Sequence, residues 1–201
     1  MTFQTPIHTL PESYREAKHL VATERGMLLR LNIASMIPLG LALIFMGWWW
    51  ALVRNMRGSY NTAFSESLSP VIAVIVVLVA TFGLHEALHG LAIHWFGHKP
   101  RFGIALDKGV MYATTDNALF PRNQFVAIAL APLVVMTLAG MILMILLPDR
   151  LAYYAGLVVV LNAAGAIGDL WMSAEVLRYS PDTLVRDEAD GIRIYTQDAS
   201  S

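Results

Sequence analysis

Five consecutive residues, His85-Glu86-Ala87-Leu88-His89, have types and spacing that could do chemistry together. On an α-helix of about 3.6 residues per turn, His85 and His89 stand one turn apart on one face. Two imidazole nitrogens can then converge on a tetrahedral metal ion, and Zn²⁺ suits such ligands. Glu86 lies about 100° round the same helix, where its carboxylate can take a proton from a water activated by that ion. The chain has no cysteine, so a metal must be held by His and carboxylate. A catalytic zinc needs a third protein ligand and leaves its fourth position to water. The pattern implies metal-assisted hydrolysis and sets the search for that third ligand.

The elements that carry these residues are apolar. The chain has 201 residues, of which 56% are hydrophobic and 14% charged. A soluble domain has about 25% charged residues, so this composition is that of a membrane protein with room for one domain. Each ionisable side chain at the centre of a membrane helix costs about 2.5–3.5 kcal/mol on insertion scales, so three within five residues require a functional reason. A formal charge of −1 offers no basic excess and excludes nucleic acid as a partner.

Four apolar segments are expected to span the bilayer: Leu28 to Val53, Val71 to Phe96, Phe125 to Leu147 and Leu151 to Leu177. Each exceeds the ~20 residues that a hydrocarbon core ~30 Å thick demands. A polar segment precedes the first of them, whose apolar core is too long for a cleavable signal peptide, so it reads as a permanent span. Eleven basic residues fall on one side: Arg15, Lys18, Arg25, Arg30, Lys99, Arg101, Lys108, Arg122, Arg178, Arg186 and Arg193. Only Arg54, Arg57 and Arg150 fall on the other, which predicts both termini in the cytoplasm of a multi-pass protein. Trp48, Trp49, Trp50, Tyr153 and Tyr154 then form an aromatic belt at the outer interface.

Depth locates a candidate third ligand. Counting from Val71 at 1.5 Å per residue, His85 lies about 21 Å and His89 about 27 Å below the outer boundary, and Asp169, counted from Leu151, also lies about 27 Å down. Asp169 is the only acidic residue between Leu151 and Met172. The run Asn162-Ala163-Ala164-Gly165-Ala166-Ile167-Gly168-Asp169 is nearly all small residues, which lets two helices approach closely. Asn162 shares a side with Asp169 and could hydrogen-bond a substrate carbonyl, backbone or a neighbouring helix. His94 is about 180° from His85, and His98 follows Gly97 at the cytoplasmic edge, so neither belongs with the metal. Glu175 is expected to snorkel or pair at the inner boundary.

These residues resemble the site-2 protease class of intramembrane metalloproteases, through an HExxH followed by Gly90 and a late Asn162-to-Asp169 segment. They are closer still to small bacterial zincin-type peptidases of unknown function. The likeness runs from about Val71 to Trp171, through Phe96-Gly97, the Pro100 to Leu106 segment and Ala131-Pro132-Leu133. It implies that His85, His89 and Asp169 hold Zn²⁺ and that Glu86 is the acid/base. The chain departs from the site-2 pattern in following Asn162 with Ala, ending the motif with Asp169-Leu170, and carrying no PDZ-like insertion.

Between the second and third spans, Arg101 to Leu106 and Val110 to Thr115 flank Asp107-Lys108-Gly109, predicting a β-hairpin over residues 100–116. Its free edge could bind an unwound substrate segment or pack over the bundle. Thr9 and Glu12 suggest a capping box opening a short amphipathic helix to about Arg25 within a cytoplasmic segment 1–27. The tail, residues 178–201, reads as a solvated and partly disordered cytoplasmic end. The fold expected is therefore an all-α integral membrane protein with four transmembrane helices and a small hairpin. The function expected is an intramembrane zinc metalloprotease in a bacterial or archaeal cell membrane, among lipids and a membrane-protein or peptide substrate. A zinc transporter and a membrane scaffold with a structural zinc are the alternatives.

Overall fold

A computed structural model of the chain describes residues 7–22, 24–58, 70–105, 110–115, 118–188 and 191–197. In chain order its elements are β1 (Tyr14–Val21), α1 (Arg25–Ala34), α2 (Met36–Arg57), α3 (Pro70–Trp95), β2 (Arg101–Ala105), β3 (Val110–Thr114), β4 (Leu119–Pro121), α4 (Arg122–Leu146), α5 (Asp149–Gly165), α6 (Ile167–Val176), β5 (Leu184–Glu188) and β6 (Gly191–Gln197).

The expectation of an all-α, four-span protein is overturned. Beside the two-stranded β2–β3 hairpin stands a four-stranded antiparallel sheet in the order β1-β6-β5-β4. Among the described residues, three helical segments are long and apolar enough to cross a membrane, Arg25–Arg57, Val71–Trp95 and Arg122–Leu146, which supports membrane association. The fourth apolar stretch is a broken pair, α5 and α6, bent by 47°. Gly165, Ala166 and Gly168 cluster at the break, and glycine costs a helix about 1 kcal/mol relative to alanine. The Ala166 N–H closes the last turn of α5 on the Asn162 carbonyl.

Both chain ends contribute strands where a helix and a disordered tail were expected. Tyr14, Ala17 and Val21 fit a helical period locally, but residues 14–21 instead pair with β6 from Tyr14↔Gln197 to Val21↔Gly191. That pairing satisfies the main chain of β1 through a partner far away in sequence, which a short surface helix cannot match. In the tail, Ile192 and Ile194 are fully buried and alternate with Arg193. Such alternation marks a half-buried strand, and the Asp190-Gly191 pair beside it is a hairpin signal that the charged residues disguised.

Two compact units result. The first comprises residues 1–32, 86–131 and 168–201. Its core joins Ile93 of α3, Phe120 of β4, Phe125 and Ile128 of α4 and Val176 of α6 to Val185, Ile192 and Ile194 of the sheet. Lys18 of β1 donates to Glu175 of α6 at 2.8 Å, so Glu175 pairs as its position near the end of the apolar stretch suggested. The second unit comprises residues 33–85 and 132–167 and packs α2 against α5 around Met46, Met144, Ala152 and Val159. There Gly140 admits the Val159 side chain, whose place a Cβ would take, and Trp49 Nε1 donates to the Met141 carbonyl. Leu41, Ile44 and Trp48 of α2, Val71 and Val79 of α3, and Leu138 of α4 are exposed. A soluble protein seldom exposes so many large apolar side chains, whereas lipid tails accept them.

Candidate metal centre

Helix α3 carries His85 and Glu86 side by side and His89 one turn on, and His85 and His89 are 7% and 9% exposed. Asp169 enters from the first turn of α6, directly after the α5–α6 break. Among the described residues, His85, His89 and Asp169 are the group whose ligand atoms converge, all within 4.8 Å of one another. His89 Nε2 stands 3.4 Å from Asp169 Oδ1. Two donors each 2.0–2.1 Å from a tetrahedral zinc are roughly 3.3 Å apart, so this pair already has the spacing of two zinc ligands.

The hydrogen bonds on the far side of each ring fix its tautomer. His85 Nδ1 lies 2.8 Å from Asn162 Oδ1, and Asn162 Nδ2 donates to the Pro132 carbonyl at 3.1 Å. Because the amide nitrogen of Asn162 is used as a donor, its oxygen must accept, and the proton of His85 sits on Nδ1. His89 Nδ1 lies 3.0 Å from the Ile128 carbonyl, which can only accept, so His89 is protonated on Nδ1 as well. Both imidazoles therefore present the Nε2 lone pair, the arrangement by which outer partners orient metal-ligating histidines.

Proline supplies the second of these acceptors. Pro132 lies inside α4, and a helical N–H at position 132 would bond the carbonyl four residues earlier, that of Ile128. Proline has no N–H, so this carbonyl loses its helical donor and takes the His89 proton instead. Pro132 lies within an apolar stretch of the sequence; its link to His89 is visible only once α3 and α4 are packed.

Other residues fall where geometry leaves them out of the centre. His94 is exposed in the last turn of α3. His98 is buried, with its ring 4.5 Å from Phe120 and 6.2 Å from His8. Burial first, and the neighbouring His8 second, hold the His98 imidazole below its usual range. Gly90, next to His89, is where the hairpin meets α3, because a Cβ there would overlap the Phe102 ring. Asp187 of β5 was read as part of a solvated tail, yet burial pushes its carboxyl up to about 7. A hydrogen bond from Thr114 opposes that rise, and the charges of Asp169 and Glu86 add to it.

A family model described as "Putative zincin peptidase" matches residues 77–184. The chain belongs to that family. The matched region holds His85, Glu86, His89, Asn162 and Asp169. No curated protein matches the chain, and no solved structure does. Zincin peptidases are zinc metallopeptidases, so membership implies zinc, and two imidazoles with a carboxylate form a donor set that fits it.

Proposed function

We propose that this protein is an intramembrane zinc metalloprotease of the site-2-protease type, cleaving peptide bonds of membrane-associated substrates near the cytoplasmic face. The observation that carries the reading is the locked tautomer of both histidines. His85 and His89 of α3, the helix that also bears Glu86, each bind an acceptor through Nδ1, and Asp169 of α6 completes their group within 4.8 Å.

In this reading His85, His89 and Asp169 hold the ion. Bound zinc would lower the pKa of a water from 15.7 toward ~7 and polarise the scissile carbonyl. Glu86 takes the proton of the attacking water and passes it to the leaving amine, the work of a general base and then a general acid. Asn162 acts through His85 rather than on substrate, since its oxygen and nitrogen are committed to His85 Nδ1 and the Pro132 carbonyl. The basic residues concentrated in the N-terminal segment, in the connection after α3 and in the tail support a cytoplasmic placement of both termini.

The test is Glu86→Gln in full-length protein reconstituted with zinc and a panel of membrane-embedded substrates. The amide keeps the size of the side chain but cannot accept the proton. Zinc content should stay near one ion per chain while cleavage falls by about 10²–10⁴-fold, the usual contribution of acid–base catalysis. Asp169→Ala should lose the metal itself. Full cleavage by Glu86→Gln would refute the mechanism.

A further inference from the structure

We propose that Phe102 of β2 is a specificity-determining residue beside the metal centre, an apolar wall on which the substrate side chain next to the scissile bond packs. The inference rests on the peptidase reading above and gives it a substrate class: peptides with a bulky apolar residue at that position.

The geometry of α3 places the ring. Glu86 and Gly90 are four residues apart, about 40° round the axis, so Gly90 lies one turn beyond Glu86 on the same side and directly follows His89. His89, Gly90 and Ile93 are buried, whereas Leu84, Leu91 and Trp95, about 100–140° round from Gly90, are exposed. Gly90 thus stands on the border between the side of α3 that bears Glu86 and the exposed apolar side. A substrate segment moving the shorter way round the helix from that exposed side to Glu86 passes it.

Phe102 occupies this border. The atoms that a Cβ on Gly90 would meet are Cζ, Cε1 and Cε2, the outer end of the ring, so the ring stands tip-first on the glycine. Its cross-strand partner in the β2–β3 hairpin is Ala113, whose methyl is too small to cover it. Phe102 accordingly stays 61% exposed although its tip touches a buried glycine. A ring flanked by a glycine and an alanine buries little of its own area, and its flat face remains for another apolar side chain to stack on. The missing Cβ of Gly90 is what lets that face come within one helical turn of the general base.

The experiment uses full-length, zinc-loaded protein in one detergent and three peptide hydroxamates, which share one zinc-chelating group and carry the side chain of glycine, leucine or phenylalanine beside it. Binding is measured by calorimetry. The wild type should bind the leucine and phenylalanine compounds at least about tenfold more tightly than the glycine one, the worth of a side chain in an apolar subsite. Phe102→Ala should weaken the phenylalanine compound by about 2–10-fold, the worth of a stacked aromatic contact, with zinc content and the glycine compound unchanged. Phe102→Leu, which keeps an apolar side chain on the strand, should retain the preference for the leucine compound and so separates a lost subsite from a lost hairpin. Gly90→Ala keeps the ring but displaces it, and should lower the preference too. Trp95→Ala, on the exposed side of α3, should bind all three compounds like the wild type, since any partition of ligand into detergent is common to both. An undiminished preference in Phe102→Ala, or an equal loss in Trp95→Ala, would overturn the proposal while leaving the metal centre standing. Failure of the wild type to take up zinc would overturn both.

Discussion

Replacing Pro132 by alanine should move the stability of α4 and the metal affinity of the centre in opposite directions. Proline inside a helix is about 3 kcal/mol less favourable than alanine, because it removes one hydrogen bond and crowds the preceding turn. In this helix the freed Ile128 carbonyl already has the His89 Nδ1–H at 3.0 Å, so the gain is smaller than that ceiling. For a chain of this length each kcal/mol corresponds to roughly 2–4 °C in thermal midpoint, so a rise of several degrees is expected in the metal-free protein. The restored N–H at position 132 then competes with His89 for the Ile128 carbonyl. A carbonyl has two lone pairs, so the His89 bond weakens rather than vanishes, and zinc affinity should fall near the low end of the 10–100-fold range for such supporting groups. Tenfold is about 1.4 kcal/mol. The assay is thermal unfolding in EDTA beside zinc competition with a chelator, on full-length protein in one detergent. A higher midpoint with unchanged or tighter zinc binding would refute the argument and reduce Pro132 to a kink.

Gly90→Ala should lower the thermal midpoint by a few degrees, since overpacking costs about 1–3 kcal/mol, and Phe102→Ala should restore it by removing the ring that the new Cβ meets. A double variant no more stable than Gly90→Ala alone would show that the clash lies elsewhere. His98 is held below its usual 6.5 by burial and by His8, so its neutral form contributes stability above the unfolded value that is lost as pH falls through the lowered folded value. In EDTA, wild-type stability should therefore drop below about pH 6.5 more steeply than that of His98→Gln, measured as midpoint against pH; parallel curves would exclude His98 as the source. Reporters fused after Ser201 and inserted before β2 should both read cytoplasm, and one inserted after Gly58 the opposite side; a reversed pattern would overturn the orientation argument.

What the sequence by itself determined was local or one-dimensional. Histidines four residues apart share a helical face whatever surrounds them, and long apolar runs meet lipid whatever their partners. Arg101–Ala105 and Val110–Thr114 form a hairpin because their paired strands are a few residues apart. Asp169 stood out as the only acidic residue between Leu151 and Met172, although the depth count that pointed to it assumed one straight fourth span and the stretch is bent by 47° between α5 and α6. The fate of the chain ends was not legible in that way. Residues 14–21 become a strand only because β6, about 170 residues or more later, lies beside them, and no local period records that pairing. The fourth apolar stretch had the length of a span, yet it is bent by 47° where Gly165, Ala166 and Gly168 cluster. The centre shows the same division. Its histidines and Glu86 could be read from a motif, but the acceptors that set the tautomers are Asn162 Oδ1 and a backbone carbonyl freed by Pro132. Asp187 looked like one more solvated acid in a charged tail until the sheet took it in and burial pushed its carboxyl up to about 7. Proximity between residues distant in sequence is a property of packing, and only the tertiary structure decides it.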